Sequence, residues 1–103
     1  MYAQLRVYTV NRGKMDDWVR WFSDKLTPVA KQAGHTILGP WVNEAKTEFV
    51  WIRAYDSADD AKAKDERFYS SAGWKAIAPE AGAFIAKAEV TIMNSAQVPA
   101  RAG

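Results

Sequence analysis

Cysteine is absent from this sequence, histidine occurs once, and no long apolar run or basic run is present. Without cysteine there can be no disulfide, thiolate nucleophile or thiolate metal site, and a reducing compartment is allowed. A single histidine leaves no second imidazole to ligate a metal, and no spacing of carboxylates suggests a site. No phosphate loop, dinucleotide fingerprint or nucleophile elbow occurs either, so neither a metal nor a cofactor is predicted.

Charge and hydropathy exclude two further classes of partner. The net charge is +2 and the basic residues are dispersed among acidic ones, so no nucleic-acid partner is expected. No apolar stretch approaches the ~20 residues that span a bilayer, so no membrane partner is expected. The N-terminal residues pass directly into strand-like alternation without the shape of a signal peptide. These features predict a cytoplasmic protein.

Tryptophan, by contrast, is abundant for a chain of this size. The chain has 103 residues, of which 49% are hydrophobic, and this fits one globular domain. Five tryptophans indicate more apolar surface than one small core hides. Such residues are enriched at interfaces and around pockets, so either location is possible for the excess tryptophans.

Hydrophobic periodicity predicts the element order βαββαβ. Strands are predicted over residues 3–10, 36–43, 47–55 and 83–94, with helices beginning at Met15 and after Ser57 and a short helical turn over 74–81. This order is typical of an α+β ferredoxin-like fold with a four-stranded antiparallel sheet in the spatial order 4-1-3-2. Pro40 independently favours an edge position for strand two. The domain is predicted over residues 1–94, followed by a flexible C-terminal tail over 95–103.

Alternation along the strands divides their side chains between two faces. The apolar face, expected to take the helices, comprises Leu5, Val7, Val50, Ile52, Ala54, Ala88, Val90 and Ile92. The opposite face carries Arg6, Tyr8, Trp51, Arg53, Tyr55, Glu89 and Thr91, and no helix remains to cover it. Burial would require its charges to be paired, for example Arg6 with Glu89. We therefore expect a homodimer through this second face; the alternative is an amphipathic sheet with one solvated face.

Several short pieces, in order, resemble the NIPSNAP family. They are Leu5-Arg6-x-Tyr8, Gly13-Lys14, Gly39-x-Trp41, Ala54-Tyr55-Asp56-Ser57 and Trp74, and together they span about residues 2–94. The resemblance implies the dimeric α+β barrel, in which two sheets pack face to face. That fold also hosts cofactor-independent monooxygenases, haem-degrading enzymes, muconolactone isomerases and polyketide cyclases, so it does not name one chemistry. The chain departs from the family pattern at Gln4, where an acid is usual, and at Arg53, where Trp is usual.

Five polar side chains are the candidates for chemistry. His35 is the natural general base, because its unperturbed pKa lies near neutrality, although a lone loop histidine is more often solvated. Tyr8 and Tyr55 are candidates for proton transfer, and Arg6 and Arg53 for holding a carboxylate or enolate oxygen. The alternative interpretation of these arginines and tyrosines is a dimer seam of paired charges and stacked rings.

Three tryptophans, Trp41, Trp51 and Trp74, are candidates for lining an apolar pocket, whereas Trp18 fits the core stripe of the first helix. Two functions stay open. One is a small homodimeric protein that binds a hydrophobic or aromatic small molecule and has no defined activity. The other is a cofactor-independent enzyme of the monooxygenase, isomerase or polyketide-cyclase type. Convergence of Arg6, Arg53 and His35 on a closed pocket would favour the enzyme.

Overall fold

Four antiparallel strands form one sheet, and the helices lie against one of its faces. The computed structural model describes residues 1–98, and the predicted tail residues 99–103 lie outside this range. The strands are β1 (Tyr2–Val10), β2 (Thr36–Val42), β3 (Glu48–Tyr55) and β4 (Ile85–Asn94). Their spatial order, β2-β3-β1-β4, confirms the predicted ferredoxin-like topology and places the proline-containing strand at an edge.

The first helical region follows the predicted apolar stripe. It comprises α1 (Met15–Trp21), a π-helical turn (Phe22–Leu26) and α2 (Thr27–Gln32). Its buried side chains recur three or four residues apart and are Met15, Trp18, Trp21, Phe22, Leu26 and Ala30. Pro28 lies in the first turn of α2, where its missing N–H is tolerated directly after the wider turn. Gly34, with a φ of +89°, follows the end of the helix, where a left-handed conformation favours glycine.

The second helical region is divided at Ser71 into α3 (Ala58–Ser70) and α4 (Ala72–Ala81). The predicted N-cap is confirmed, since the Ser57 hydroxyl accepts a 3.1 Å hydrogen bond from the Asp60 N–H. Ser71 repeats this arrangement for α4 by accepting from the Trp74 N–H. Two caps within fifteen residues set the directions of both helices across the sheet.

The predicted assignment of the sheet faces was wrong. The helices cover the face that carries Arg6, Tyr8, Trp51, Arg53 and Tyr55, and all five of these residues are buried. The reason is steric and chemical. Aromatic rings from α1 and the π-helical turn pack on those of the strands, with Phe22 5.0 Å from Trp51 between ring centroids, and the arginines find hydrogen-bond partners there.

The β4 side chains Val90 and Ile92 lie on the helix-facing side as predicted, but their predicted grouping with Leu5 and Val7 was wrong. Val90 pairs with Arg6, and Ile92 pairs with Gln4, so these apolar side chains share the helix-facing side of the sheet. Glu89 pairs instead with Val7 and forms a 3.1 Å surface ion pair with Lys87. The predicted pairing of Arg6 with Glu89 therefore does not occur.

The uncovered side of the sheet is apolar at its centre. We call it the open face; it comprises Leu5, Val7, Leu38, Trp41, Val50 and Ile52. Leu38 and Trp41 are 42% and 54% exposed. The molecule is only 19 Å thick along its shortest axis, which is one helix layer on one sheet. The open face thus has no third layer within residues 1–98.

At the edge of the open face, Gly39 permits the position of Trp41. Its φ is +91°, and a Cβ on residue 39 would lie 2.6 Å from the Trp41 ring. No helix in residues 1–98 is both long and apolar enough to cross a bilayer.

Candidate functional site

A partly buried carboxylate on α3 joins two strands and the loop before β2 on the covered side of the sheet. The Asp65 Oδ1 atom accepts from the Tyr55 hydroxyl at 2.6 Å and lies 2.9 Å from His35 Nε2. Its Oδ2 atom accepts from the Gln4 amide at 2.7 Å, and Arg53 Nη1 lies 3.5 Å from Oδ1. We call Gln4, Arg6, His35, Arg53, Tyr55 and Asp65 the polar cluster.

Local structure explains why these side chains meet. Ala61, Asp65 and Phe68 lie on one face of α3, and both apolar neighbours are buried, so the carboxylate points toward the sheet. His35 follows the glycine that ends α2, and its N–H donates to the Ala30 carbonyl at 3.0 Å. The histidine is therefore not a solvated loop residue, since its side chain is fully buried.

Burial and hydrogen bonding set the protonation states of the cluster. Burial lowers the pKa of His35, and the hydrogen bond to Asp65 only partly opposes this. Although burial by itself opposes ionisation of Asp65, the hydrogen bonds from His35, Tyr55 and Gln4 and the charge of Arg53 hold its pKa well below the usual range. Burial, with the bond to Asp65, raises the pKa of Tyr55. At neutral pH the cluster therefore holds a neutral imidazole, an ionised carboxylate and a protonated phenol.

Two buried guanidiniums lie over the Trp51 ring. The Cζ atom of Arg6 is 5.6 Å from the ring centroid and that of Arg53 is 4.8 Å from it. Arg6 donates to the Gln4 side-chain oxygen at 2.8 Å and to the Tyr8 hydroxyl at 3.1 Å. Arg53 donates to the Tyr69 hydroxyl at 3.2 Å. Arginine is suited to such a site because its planar cation can stack and donate at once.

The polar cluster contains more donors than acceptors. Within residues 1–98, the buried Arg53 Nε and His35 Nδ1 atoms of the cluster have no hydrogen-bond partner, and neither do the indole N–H groups of the adjacent Trp51 and of Trp18 on α1. With Nε2 donating to the ionised Asp65, the neutral His35 ring presents Nδ1 as an acceptor. Buried polar atoms are nearly always satisfied, so each of these atoms calls for a partner such as water, an ion or a ligand group.

An apolar strip on β4 lies beside this cluster. Ala88, Val90 and Ile92 are directly opposite Tyr8, Arg6 and Gln4 across the strand pair. All three are exposed, with Val90 at 47% and Ile92 at 49%, because the helices leave this edge of the sheet uncovered. We call these three residues the β4 platform. Tyr69, 42% exposed, is the exposed aromatic side chain that contacts Arg53 of the cluster.

Most of the candidate residues named from the sequence are brought together. Arg6, Tyr8, Trp51, Arg53 and Tyr55 share the covered face, and His35 joins them through Asp65. Trp74 contacts the cluster only through Phe68 and Tyr69, whose ring centroids lie 4.9 and 5.7 Å from its own. Trp41 lies on the open face, on the other side of the sheet.

Three participants were missed by the sequence reasoning: Gln4, Asp65 and Tyr69. For Asp65 a signal was available, because it recurs four residues after Ala61 and three before Phe68 on an otherwise apolar face. For Gln4 and Tyr69 the sequence carries no such signal, since their roles depend on partners 61 and 16 residues away.

The cluster is enclosed rather than lining a cavity. A cavity of about 500 Å³ lies at the opposite end of β1, where Val10, Gly13 and Lys46 are among its lining residues. Neither this cavity nor four smaller ones in the described part of the chain is lined by Arg6, His35 or Arg53. Within the same range, no three acidic or histidine side chains are close enough to hold a metal ion.

The fold and the enclosed polar cluster define a small α+β protein of the ferredoxin-like class. A putative antibiotic biosynthesis monooxygenase from Nitrosomonas europaea shares this fold, with a TM-score of 0.70 and 18% identity over 92% of this chain and 98% of that one. The NIPSNAP family pattern matches residues 2–98, so the chain belongs to the NIPSNAP family.

Solved structures of family proteins are more similar still. An uncharacterized NIPSNAP domain protein from Burkholderia xenovorans has a TM-score of 0.87 and 21% identity, covering 98% of this chain and 100% of that one. A NIPSNAP family protein of unknown function from Agrobacterium tumefaciens has the same TM-score and 24% identity, covering 96% and 91%. No curated protein matches the chain. At these identities the structures establish the fold alone.

Proposed function

We propose that this NIPSNAP protein is a homodimer that binds a hydrophobic or aromatic small molecule between the polar cluster and the β4 platform. The observation that carries the proposal is the surplus of buried donors beside an uncovered apolar strip: Arg53 Nε and Trp51 Nε1 lack partners, and Val90 next to Arg6 is 47% exposed. Sites for small molecules combine an apolar lining with a few convergent polar groups in this way.

The open face supports the homodimer. Apolar side chains from three adjacent strands meet there in one row, as in Leu38–Ile52–Leu5, and the polar Thr91 continues the row on β4. An apolar centre with a polar edge is typical of a protein interface. The radius of gyration, 15.3 Å, exceeds the about 13 Å expected for a compact chain of this length. A second sheet packed on the open face would supply the missing layer.

Binding can be tested by calorimetric titration with two naphthalene compounds, 2-naphthoate and 2-naphthalenemethanol. We expect at least one to bind the wild-type protein, and the double variant Val90→Ser/Ile92→Ser to weaken that binding about tenfold by removing apolar contact. Thr91→Ser, on the opposite face of the same strand, is the matched control and should bind as the wild type does. Absence of binding by both compounds at about 1 mM would overturn the proposal.

A cofactor-independent enzyme is the second candidate, and the His35–Asp65 contact is the observation that favours it. A carboxylate that fixes one imidazole nitrogen and leaves the other as an acceptor is the arrangement of an oriented general base. Against it, the imidazole is fully buried and lines none of the cavities. Deuterium exchange at the α-carbon of 2-tetralone, an enolisable aromatic ketone, tests the base directly. Exchange above background that His35→Gln abolishes would support the enzyme; exchange equal to background would exclude this proton transfer.

A further inference from the structure

The polar cluster carries one more positive charge than negative charge. Arg6 and Arg53 are 9% and 2% exposed, and Asp65 is the only carboxylate that contacts either of them directly or through one side chain within residues 1–98. His35 is neutral at pH 7, since burial lowers its pKa. Buried charges are costly unless they are paired, and here Asp65 lies 3.5 Å from Arg53 and leaves Arg6, two strand positions from Gln4, without a direct counter-charge.

Arg53 has the direct contact with Asp65, but it makes fewer hydrogen bonds than Arg6. It lies 3.5 Å from Asp65 and donates one hydrogen bond, to the Tyr69 hydroxyl, while its Nε atom has no acceptor. Its other close neighbours are ring faces, with Trp51 and Phe68 each 4.8 Å from its Cζ atom. A guanidinium presents paired donors that match the two oxygens of a carboxylate, and this one uses few of them.

Tyr69 is the exposed group among these neighbours. It lies in the last turn of α3, next to the break at Ser71, and is 42% exposed, whereas Trp51 and Phe68 are fully buried. Tyr69 is therefore the neighbour of Arg53 whose displacement would disturb the core least. Its hydroxyl oxygen already occupies an acceptor position on Arg53.

We infer that the ligand carries a single anionic oxygen group, a carboxylate or an enolate, which binds Arg53 beside Arg6 in the position that the Tyr69 hydroxyl takes in this structure. The aromatic body of the ligand then lies on the β4 platform, next to Arg6. This inference rests on the proposed function and adds the charge of the ligand and the role of Tyr69 as a displaceable acceptor.

The charge of the ligand is tested by the same two naphthalene compounds, which share a ring system and differ in charge. We expect 2-naphthoate to bind at least about tenfold more tightly than 2-naphthalenemethanol, because only the former gains charged hydrogen bonds. Equal affinity for the two compounds would be consistent with the proposed binding function, but it would contradict the inference that the ligand is an anion. Failure of both to bind would overturn the inference and the proposed function together.

The position of the anion is tested by Arg53→Met, with Arg12→Met on the exposed β1–α1 loop as its control. Arg53→Met should weaken the binding of 2-naphthoate about tenfold and leave the binding of 2-naphthalenemethanol unchanged. Arg12→Met should change the affinity for neither compound. An equal loss of affinity for both compounds in a folded Arg53→Met protein would contradict the inference that the anionic group binds at Arg53.

Tyr69→Phe keeps the ring contacts with Phe68 and Trp74, and it removes only the competing hydroxyl. The Tyr69→Phe protein should therefore fold even if the Arg53→Met protein does not. It should bind 2-naphthoate roughly three- to tenfold more tightly than the wild type and bind the neutral compound equally well. Unchanged or weaker binding of 2-naphthoate by Tyr69→Phe would overturn the displacement of Tyr69.

Discussion

His35 Nε2 and Asp65 Oδ1 lie 2.9 Å apart, joining the loop before β2 to the inner face of α3. Because Asp65 is ionised and His35 is neutral, the imidazole donates this hydrogen bond and the carboxylate accepts it. The same carboxylate oxygen accepts from Tyr55 at the end of β3. One acidic side chain thus holds α3 against the end of β3 and the loop before β2.

Replacing Asp65 should destabilise the fold. Asp65→Asn removes the only charge that compensates Arg53 and introduces an amide N–H among existing donors. We expect a loss of about 3 kcal/mol in the free energy of unfolding, the lower end for a broken buried pair, because the carboxylate keeps 21% exposure. Urea denaturation would measure it. Asp17→Asn, which breaks an exposed pair with Arg20, is the control and should leave stability unchanged; equal effects of the two variants would contradict the role given to Asp65.

Two tyrosine-to-phenylalanine changes should differ in cost. Tyr55→Phe removes a 2.6 Å hydrogen bond to a partly buried carboxylate, while the ring keeps its edge contacts with Tyr2 and His35. We expect a loss of about 1.5–3 kcal/mol. Tyr69→Phe removes a 3.2 Å bond at a half-exposed ring and should cost less than about 1 kcal/mol. Chemical denaturation of both proteins at neutral pH gives the comparison, and a larger loss for Tyr69→Phe would reverse the interpretation.

Stability should fall as the pH is lowered through the range in which histidine titrates. The folded-state pKa of His35 lies below its ordinary value of 6.5, so the unfolded chain binds a proton first on acidification. The contribution of neutral His35 to the free energy of unfolding is therefore complete above about pH 6.5, and it is lost as the pH falls below this value. Asp65, whose folded pKa is also lowered, contributes in the same direction only below about pH 4.

The check on this pH dependence is urea denaturation at about pH 7.5, 6.5 and 5.5. His35→Gln supplies an N–H for Asp65 without a titrating ring, so its unfolding free energy should change less over this range than that of the wild type. Parallel pH profiles for the two proteins would show that another group causes the decline.

Local and topological features were predictable from the sequence because they depend on nearby residues. The strand order followed from the element order and Pro40, the helix stripe from the spacing of Trp18 and Phe22, and the cap from Ser57. Each is determined by the chain's own periodicity or turn chemistry. The observed boundaries of the strands and helices differ from the predicted ones by one or two residues.

Which face the helices cover was not predictable from alternation. Alternation groups Arg6 with Tyr8 but gives no sign that the arginine stacks on Trp51 and bonds to Gln4. The charges on this face favoured cover by a second protomer, whereas pairing within one chain permits their burial beneath the helices. The face of Val90 depends on the register of β4 against β1, which shifts near Thr9 and Val10. The register between two strands distant in the chain cannot be predicted from the sequence of either strand alone.

Disrupting the open face should convert a dimer into monomers. Ile52 lies between Leu38 and Leu5 across three strands, at the centre of that face. Ile52→Lys places an unpaired charge there, which a packed second sheet would bury at a cost of several kcal/mol. Size-exclusion chromatography with light scattering should give about twice the 11.5-kDa mass for the wild type and a single mass for the variant. Val98→Lys, at a residue 84% exposed, is the control and should remain dimeric. A wild-type protein that is monomeric at micromolar concentration would refute the dimer, whereas a dimeric Ile52→Lys protein would place the interface elsewhere.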